Sequence, residues 1–464
     1  MTFRGPLSSR LVLGAALLLA AGCSLIDPHN MIGRQLGEAT GPPTEVVPSP
    51  APATLGAQAR ERAFDFVWET IDQHYYDPKL NGVDWKAVRE RYNPLAMQAK
   101  DDDAFWEVLD RMTGELRDAH TRVESPKRVE LRERDESITL GMAIALLDGR
   151  LAVSAVNPDS DAWWAGVRPG MFMVSIGGVP AMDAYRKALA ETRHDSTDRS
   201  QHLRAVRRIM TGPPASTAQI EFERGEGSRF TATLARRPHR SPPMERHRVL
   251  PSGYGYLQFS EWTLGTAYRA LSAIEDMKKT PGLVIDLRNN PGGSAQAVNM
   301  MLEKFFPERT ELGQVLTRSG KPVSLFFGMI EIIKLKRVVD GEKDAYRAPV
   351  VILVNAGSAS ASELFAGTMQ AAGRAEVLGQ RSCGCLLGFL GYARVPGGGE
   401  LAYSEVGFVL GNGKRIEGEG VVPDDPVPLS LADLRASRDR TLEEAQVRLS
   451  AMKPIAASAT RERP

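Results

Sequence analysis

Apolar residues recur at helical spacing in the first folded part of the chain. Five of them lie at i, i+3, i+4, i+7 and i+11 and define one helix face: Phe64, Val67, Trp68, Ile71 and Tyr75. A second helix is predicted to begin after Asp84, and a third helix to carry Phe105 and Met112 inward. Residues 59–130 are therefore predicted to form a helical N-terminal subdomain.

The period then changes to that of β-strands. Between residues 137 and 237 apolar and polar positions alternate, which favours a small β-domain. Residues 248–430 instead alternate helices with short apolar runs at 283–287 and 350–354, which is typical of a buried parallel sheet. The Arg- and Pro-rich stretch 236–247 is predicted to be a hinge between these two parts. The predicted fold class is multidomain α+β.

Two further segments stand out in the C-terminal half. Residues 323–333 are unusually apolar and are predicted to form either a buried helix or a lid. Residues 431–464 are predicted to form a polar C-terminal helix and a tail.

The N-terminus has the pattern of an export signal. Two arginines precede an uncharged run at 11–21, which is too short to span a membrane and fits a signal-peptide core. The small residues before Cys23 resemble the lipobox of bacterial lipoproteins. That resemblance implies removal of residues 1–22, lipidation of Cys23 and an outer-membrane anchor that faces the periplasm. An ordinary secretion signal with a chance cysteine is the alternative. The Pro-rich residues 23–58 are predicted to be an extended linker.

Composition and charge narrow the class of function. The chain has 464 residues, and 58 Lys+Arg against 57 Asp+Glu give a formal net charge of +1. This balance argues against a nucleic-acid binder, which normally carries a basic excess. Three cysteines are too few for a disulfide scaffold. No histidine has metal-like spacing, and we expect neither a cofactor nor a resident metal.

Two loops carry the candidate chemistry. Residues 355–363 (NAGSASASE) follow a predicted buried strand and begin a helix, so a serine hydroxyl there lies beside free amides that stabilise negative charge. Residues 286–293 (DLRNNPGG) end another strand in a tight turn with bare amides, which suits an oxyanion or a peptide backbone. Each pattern alone also fits an ordinary helix cap or β-turn.

Together these loops resemble those of the C-terminal-processing (tail-specific) serine proteases, nearer to the tricorn-core branch. The resemblance runs from about residue 60 to residue 428, and it includes GELRDAHT at 114–121 and IEGEGVVPD at 416–424. It implies a crotonase-like ββα protease core over residues 248–430. Polypeptides, recognised by their C-termini, are the substrates that the family implies.

The resemblance also assigns roles to residues of the two loops. Ser360 matches the family's nucleophile, the middle serine of its motif. The amide of Ala361, together with that of Gly292 or Gly293, matches the family's oxyanion hole.

The β-domain at 137–237 resembles a PDZ domain in its Leu-Gly entry loop and in its AGVRPGM stretch. The likeness implies that Leu140, Gly141 and Met142 hold the carboxylate of a polypeptide C-terminus. A small β-domain without a peptide groove is the alternative.

The general base is the point at which this chain departs from the family pattern. One branch uses a lysine at the position that is Cys385 here. The other branch uses a histidine and a late glutamate, which match His120 and Glu417, with Glu419 as the second choice. Ala119 replaces the serine that orients that histidine. Lysine-dependent relatives carry a histidine near this place without a catalytic duty, so a bystander His120 is the alternative.

Several interpretations remain open for Cys383 and Cys385. They are consistent with small buried residues or a disulfide, with half of a soft-metal site, or with Cys385 as a functional thiol. Lys414 is the lysine to examine as a substitute for the missing amine.

The leading hypothesis is a membrane-tethered periplasmic serine endopeptidase that cleaves exported polypeptides. A catalytically silent peptide-binding scaffold is the first alternative, because the lysine and the orienting serine are both absent. A thiol-dependent hydrolase that uses Cys385 is the second.

Overall fold

The computed structural model describes residues 54–453, apart from 135, 214, 241–243 and 327–328. Helices and strands are mixed along this range, and most of its buried apolar residues fall into three large clusters. None of the helices in this range is both long and apolar enough to cross a membrane. The predicted signal peptide, Cys23 and most of the predicted linker lie outside the described residues.

The N-terminal subdomain is helical, as predicted. Its elements are α1 (Ala57–His74), α2 (Trp85–Met97), α3 (Asp102–Gly114), β1 (Arg122–Glu124) and α4 (Pro126–Glu133). The predicted inner face of α1 is confirmed, because Phe64, Val67 and Ile71 are fully buried. Asp84 caps α2 by accepting a hydrogen bond from the Ala87 amide, also as predicted.

Residues 136–240 form the middle β-domain. Its strands are β2 (Glu136–Thr139), β3 (Met142–Leu147), β4 (Arg150–Val156), β5 (Phe172–Ile176), β6 (Val179–Pro180), β7 (Thr217–Glu223), β8 (Arg229–Ala235) and β9 (Arg237–Arg240). Its helices are α5 (Asp161–Trp164), α6 (Ala181–Glu191) and α7 (Asp198–Met210). The main sheet has the order β3-β4-β5-β7-β8, and all of its pairs are antiparallel. Strand β3 is therefore an edge strand.

The C-terminal part contains a six-stranded central sheet, a four-stranded sheet, smaller strand pairs and several helices. The strands of its central sheet are β10 (Glu245–Val249), β11 (Gly255–Phe259), β12 (Leu283–Asp286), β17 (Val350–Val354), β18 (Glu376–Gly379) and β23 (Asp425–Pro426). The remaining strands are β13 (Thr310–Thr317), β14 (Val323–Leu325), β15 (Ile330–Ile333), β16 (Lys336–Val339), β19 (Leu387–Gly388), β20 (Ala393–Arg394), β21 (Glu400–Ala402) and β22 (Val406–Leu410). The helices are α8 (Leu264–Asp276), α9 (Ala295–Glu303), α10 (Ala361–Ala371), α11 (Leu431–Arg435) and α12 (Arg440–Ala451).

The central sheet brings the two candidate loops together. Its order is β10-β11-β12-β17-β18-β23, and β12 and β17 are parallel neighbours with Ile285 opposite Ile352. Every residue of these two strands is buried, which confirms the predicted parallel core. Parallel strands end at the same sheet edge, so the loops that follow β12 and β17 emerge side by side.

A second contact brings the N-terminal subdomain to this edge. Strand β1 pairs with β21 of the C-terminal part, with Val123 opposite Leu401. The apolar residues of α1 to α3 share one cluster with Leu401 and Tyr403. The loop between α3 and β1 is thereby held against the C-terminal part, although it lies far away in sequence.

The structure refines two predictions about connecting segments. The buried helix predicted for 323–333 is wrong, because β14 and β15 pair as an antiparallel hairpin with Met329 and Ile330 exposed; the lid stays a prediction. The predicted hinge at 236–247 is mostly strand, since β9 pairs with β2 and β10 pairs with β11. These strand pairings could not be predicted, because short apolar or charged runs do not show which neighbour they will pair with.

The predicted C-terminal helix is also more deeply involved in the fold than its polarity indicates. Helix α12 is amphipathic and buries Ala445 and Leu449 against the central sheet. Residues 454–464 lie outside the described range.

Candidate active site

Ser360 lies in a strained turn between the buried strand β17 and helix α10. Its φ is +54° and its ψ is −116°, a conformation that non-glycine residues rarely adopt. Its amide donates to the carbonyl of Cys385 and to Oε2 of Glu363, both at 3.0 Å. Backbone strain of this kind is common at nucleophiles that must project from a tight turn.

The two flanking serines have internal structural duties. Ser358 donates its hydroxyl hydrogen to the Leu287 carbonyl, and Ser362 donates its own to the Asn290 carbonyl. Both residues are fully buried. Of the three serines in the loop, Ser360 is the one whose hydroxyl meets a basic side chain.

That basic side chain is His120. Its Nε2 lies 3.1 Å from Oγ of Ser360, although 240 positions separate the two residues. His120 belongs to the loop between α3 and β1, and its amide donates to Oδ1 of Asp118 at 2.8 Å. Asp118 is fully buried and its Oδ2 also accepts hydrogen bonds from Thr121 and Ser404. The carboxylate thus fixes the loop that carries the imidazole.

The surroundings of His120 keep its imidazole neutral at pH 7. Burial lowers its pKa below the usual 6.5, and the charge of Arg122 acts in the same direction. The carboxylates of Asp118 and Asp195 oppose this shift without cancelling it. A neutral imidazole at hydrogen-bond distance from a hydroxyl is able to accept its proton.

Glu417 is brought to the same region, whereas Glu419 is not. Oε2 of Glu417 accepts a hydrogen bond from the Leu386 amide at 2.5 Å, while its Oε1 is buried without a partner among the described residues. Glu419 is exposed and pairs with Arg381 at the surface. Burial, followed by the charge of Asp118, raises the pKa of Glu417 well above 4.5.

Glu363 is a functional candidate that our reading of the sequence missed. This fully buried carboxylate accepts hydrogen bonds from the amides of Ser360, Gly384 and Cys385 and from the hydroxyl of Ser382. It therefore holds segment 382–385 against the serine turn. A serine followed three residues later by a glutamate is a known helix-start pattern, and that pattern could have identified it.

The amides beside Ser360 differ in their availability. A Cβ on Gly292 would lie 2.6 Å from Cβ of Ser360, so only glycine allows this approach. The Gly292 amide, however, donates to Oδ1 of Asn290 at 3.0 Å. The amides of Ala361 and Gly293 have no hydrogen-bond acceptor in the described part of the chain. Of the two glycines, Gly293 is therefore the one with a free donor.

Cys383 and Cys385 form a disulfide, and both residues are buried. The interpretation of Cys385 as a free functional thiol is therefore wrong, because its sulfur is bonded to that of Cys383. No metal-binding group of three or more His, Cys, Asp or Glu side chains occurs in the described residues. Lys414 lies exposed in the turn after β22 and does not supply an amine to Ser360.

The predicted carboxylate-binding loop lies at the entry to the edge strand β3. Leu140 is buried there, and Gly141 has a φ of +76°. A Cβ on Gly141 would approach that of Ser160 to 2.2 Å, so the turn requires glycine. Met142 begins β3 and is also buried.

We expect Glu417→Gln to stabilise the folded protein at neutral pH but not at acidic pH. Because the folded-state pKa of Glu417 is raised, the folded protein binds a proton more tightly than the unfolded chain does. Stability is therefore lost as the pH rises from about 4.5 through that raised pKa, and glutamine removes the loss. The expected gain at pH 8 is about 1–3 kcal/mol.

Thermal unfolding of both proteins at pH 4.5 and pH 8 measures this effect. Glu419→Gln is the matched control, and we expect its effect to stay within about 0.5 kcal/mol at both values, as for most surface substitutions. An equal gain from Glu417→Gln at the two pH values would contradict the prediction.

The sequence of the chain matches known families in two places. Residues 253–427 match Peptidase family S41, and residues 57–114 match the Tricorn protease C1 domain. These matches and the relatives described next make the chain a serine-type peptidase by class, which is a hydrolase. The chain therefore carries a Peptidase family S41 domain, and it resembles the C-terminal-processing serine proteases.

Curated relatives of this family resemble the chain over most of its length. The carboxyl-terminal-processing protease of Synechocystis is 24% identical over 403 residues, which cover 84% of this chain and 86% of the relative. The carboxy-terminal processing protease CtpB of Bacillus subtilis is 25% identical over 386 residues, or 80% and 68% of the two chains. A tricorn protease homologue of Streptomyces coelicolor is 26% identical over 415 residues, and the chain spans about a third of its length (32%).

Solved structures show a similar fold. The chain matches mature CPAF with a TM-score of 0.61 at 16% identity, over 82% of this chain and 94% of the other. It matches the photosystem II D1 C-terminal processing protease with a TM-score of 0.53 at 22% identity, over 84% and 97% of the two chains.

Proposed function

We propose that this chain is a serine endopeptidase that cleaves polypeptides presented by their C-termini. The observation that carries the proposal is the 3.1 Å distance between Nε2 of His120 and Oγ of Ser360. A serine needs a base to act as a nucleophile at neutral pH, and this imidazole replaces the lysine used by the other branch.

The proposed reaction is acyl transfer to Ser360 and then to water. His120 Nε2 takes the proton of the Ser360 hydroxyl as Oγ attacks the scissile carbonyl carbon. The amides of Ala361 and Gly293 donate to the resulting oxyanion, since both are free to do so. His120 then gives the proton to the leaving amine as the C–N bond breaks. Water, deprotonated by His120, hydrolyses the acyl-enzyme and restores Ser360.

The middle β-domain has the features needed to present a peptide. We assign it as PDZ-like, and we assign the C-terminal part as a crotonase-like ββα core. Strand β3 is an edge strand with α7 packed beside it, so an extended peptide could add as a further strand. The loop of Leu140, Gly141 and Met142 at the entry to β3 is where the peptide's terminal carboxylate would bind.

We further propose that the protein is anchored to the outer membrane through Cys23 and works in the periplasm. The support is the signal-like N-terminus, whose resemblance to a lipobox was described above. The Cys383–Cys385 disulfide is consistent with an oxidising compartment of this kind.

We expect a peptide with a free C-terminal carboxylate to be cleaved with a KM about 10- to 100-fold lower than that of its C-terminal amide. Hydrogen bonds to a charged carboxylate contribute about 1.5–3 kcal/mol each, and the amide lacks the charge. The measurement is the initial rate of cleavage of the two peptides, with Ser360→Ala as a control for contaminating proteases.

Two outcomes of this experiment would overturn parts of the proposal. Equal KM values would show that the middle β-domain does not recognise the C-terminal carboxylate of the peptide. Binding of the peptide without cleavage, together with no labelling of Ser360 by a fluorophosphonate, would favour the silent scaffold instead.

A further inference from the structure

Ser196 of the middle β-domain lies beside the loop that carries the catalytic imidazole. Its hydroxyl accepts a hydrogen bond from the amide of Ala119 at 2.8 Å, immediately before His120. The same hydroxyl lies close enough to the Glu417 carboxyl to lower its pKa, which burial otherwise raises. Ser196 thus touches the histidine loop on one side and the late glutamate on the other.

Two buried polar atoms of the residues that flank this contact have no partner. They are Nδ1 of His120 and Oε1 of Glu417, and neither has a hydrogen-bond partner among the described residues. When Nε2 accepts the proton of Ser360, Nδ1 must already carry a hydrogen. A buried N–H without an acceptor is unfavourable by about 1–3 kcal/mol, so an acceptor at this position stabilises the productive tautomer.

A serine hydroxyl has the capacity to satisfy both atoms. It offers one donor hydrogen and two acceptor lone pairs. The Ala119 amide occupies one lone pair of Ser196, which leaves one lone pair for Nδ1–H of His120 and the hydrogen for Oε1 of Glu417. Hydrogen bonds of this kind are often long in a resting site and shorten when substrate binds.

The carboxylate of Asp118, which also acts on His120, is already engaged. Its Oδ1 accepts from the His120 amide, and its Oδ2 accepts from the hydroxyls of Thr121 and Ser404. Asp118 therefore holds the backbone of the loop rather than the ring nitrogen.

The segment that carries Ser196 is fixed to both halves of the site. Arg193 donates to the carbonyl of Asp118 at 2.6 Å. Thr197 donates to the carbonyl of Cys383 at 2.6 Å, and Arg199 donates to the carbonyls of Ser382 and Glu419. These bonds set the position of Ser196 between the histidine loop and the segment that holds the serine turn.

We propose that Ser196 is a positioning residue that links His120 to Glu417. It replaces the orienting serine that the family carries at the position of Ala119. The orienting hydroxyl is then supplied by the peptide-presenting domain instead of by the residue next to the histidine. This inference rests on the proposed function, because it assigns a role within the same Ser360–His120 site.

The test compares Ser196→Ala, Ser196→Thr and the double variant Ser196→Ala/Ala119→Ser. We expect Ser196→Ala to lower kcat about 10- to 100-fold, as misplacement of a catalytic group does, with KM changed less than about threefold. Threonine keeps the hydroxyl and should retain most of the activity, and the serine at position 119 should restore part of it. Ser216→Ala is the matched control, since its hydroxyl bonds within the middle β-domain only.

A pH profile and nuclear magnetic resonance separate positioning from a merely structural role. The charged groups that act on the pKa of His120 are Asp118, Arg122 and Asp195, and the proposed link through Ser196 adds Glu417 to them. Loss of the link to Glu417 should destabilise the imidazolium, so the acid limb of kcat should move to lower pH by about half a unit or more. In protein with ¹⁵N-labelled histidine rings, the Nδ1–H signal of His120 should be present in the wild type and in Ser196→Thr and lost in Ser196→Ala.

An unchanged kcat, an unmoved acid limb or an identical Nδ1–H signal in Ser196→Ala would overturn the proposal. So would a loss of activity that merely parallels a lower unfolding temperature and is not restored by Ala119→Ser. If the wild type itself fails to cleave peptide or to react with a fluorophosphonate, the proposed function fails. The Nδ1–H signal then still shows whether Ser196 bonds to His120.

Discussion

Ser360→Ala is expected to lower kcat by a factor between about 10³ and 10⁶ while peptide binding changes little. Removal of a nucleophile that works with a general base abolishes the covalent route, and only oxyanion stabilisation and binding remain. The measurements are the rate of peptide cleavage, the labelling of Ser360 by a fluorophosphonate, and the affinity of the variant for the same peptide.

A neighbouring serine provides the control for Ser360. Ser358→Ala removes a hydroxyl that donates to the Leu287 carbonyl, so it should lower stability by about 1–3 kcal/mol. It should still react with the fluorophosphonate at temperatures where it is folded. Cleavage by Ser360→Ala at a rate near that of the wild type would remove Ser360 from the mechanism.

The parts of the fold that could be predicted are those in which a local pattern determines burial. The face of α1 follows from helical periodicity, and β12 and β17 follow from short apolar runs between turn residues. The hairpin at 323–333 could not be predicted in this way, because a short apolar run fits a helix or a strand equally well. Its pairing of β14 with β15 and its exposure depend on tertiary structure.

The residues of the candidate site also differ in whether a local pattern predicts them. The loop at 355–363 is marked by its strand–turn–helix context, whereas the choice of Ser360, His120 and Glu417 follows only from the resemblance to a family. Their proximity depends on the pairing of β1 with β21, which no local pattern reveals. Ser196 has no sequence signal at all, because its role depends on how the middle β-domain packs against the C-terminal part.

The second large effect is expected from His120, which separates an active peptidase from a silent scaffold. His120→Ala should lower kcat by a factor between about 10³ and 10⁶, because a serine hydroxyl without a base is a weak nucleophile at neutral pH. Lys414 is exposed and makes no hydrogen bond to Ser360 in the described part of the chain, and Cys385 is held in a disulfide, so neither replaces the imidazole.

The activity of the double variant shows whether the two residues act in the same step. If His120 serves as the base for Ser360, Ser360→Ala/His120→Ala should be no slower than Ser360→Ala alone, since each change removes the same step. His247→Ala is the control, because that histidine is exposed on β10 and its ring contacts Glu245. Full turnover by His120→Ala would make this histidine a bystander, and the 3.1 Å contact would then belong to a structural hydrogen bond instead of a proton transfer.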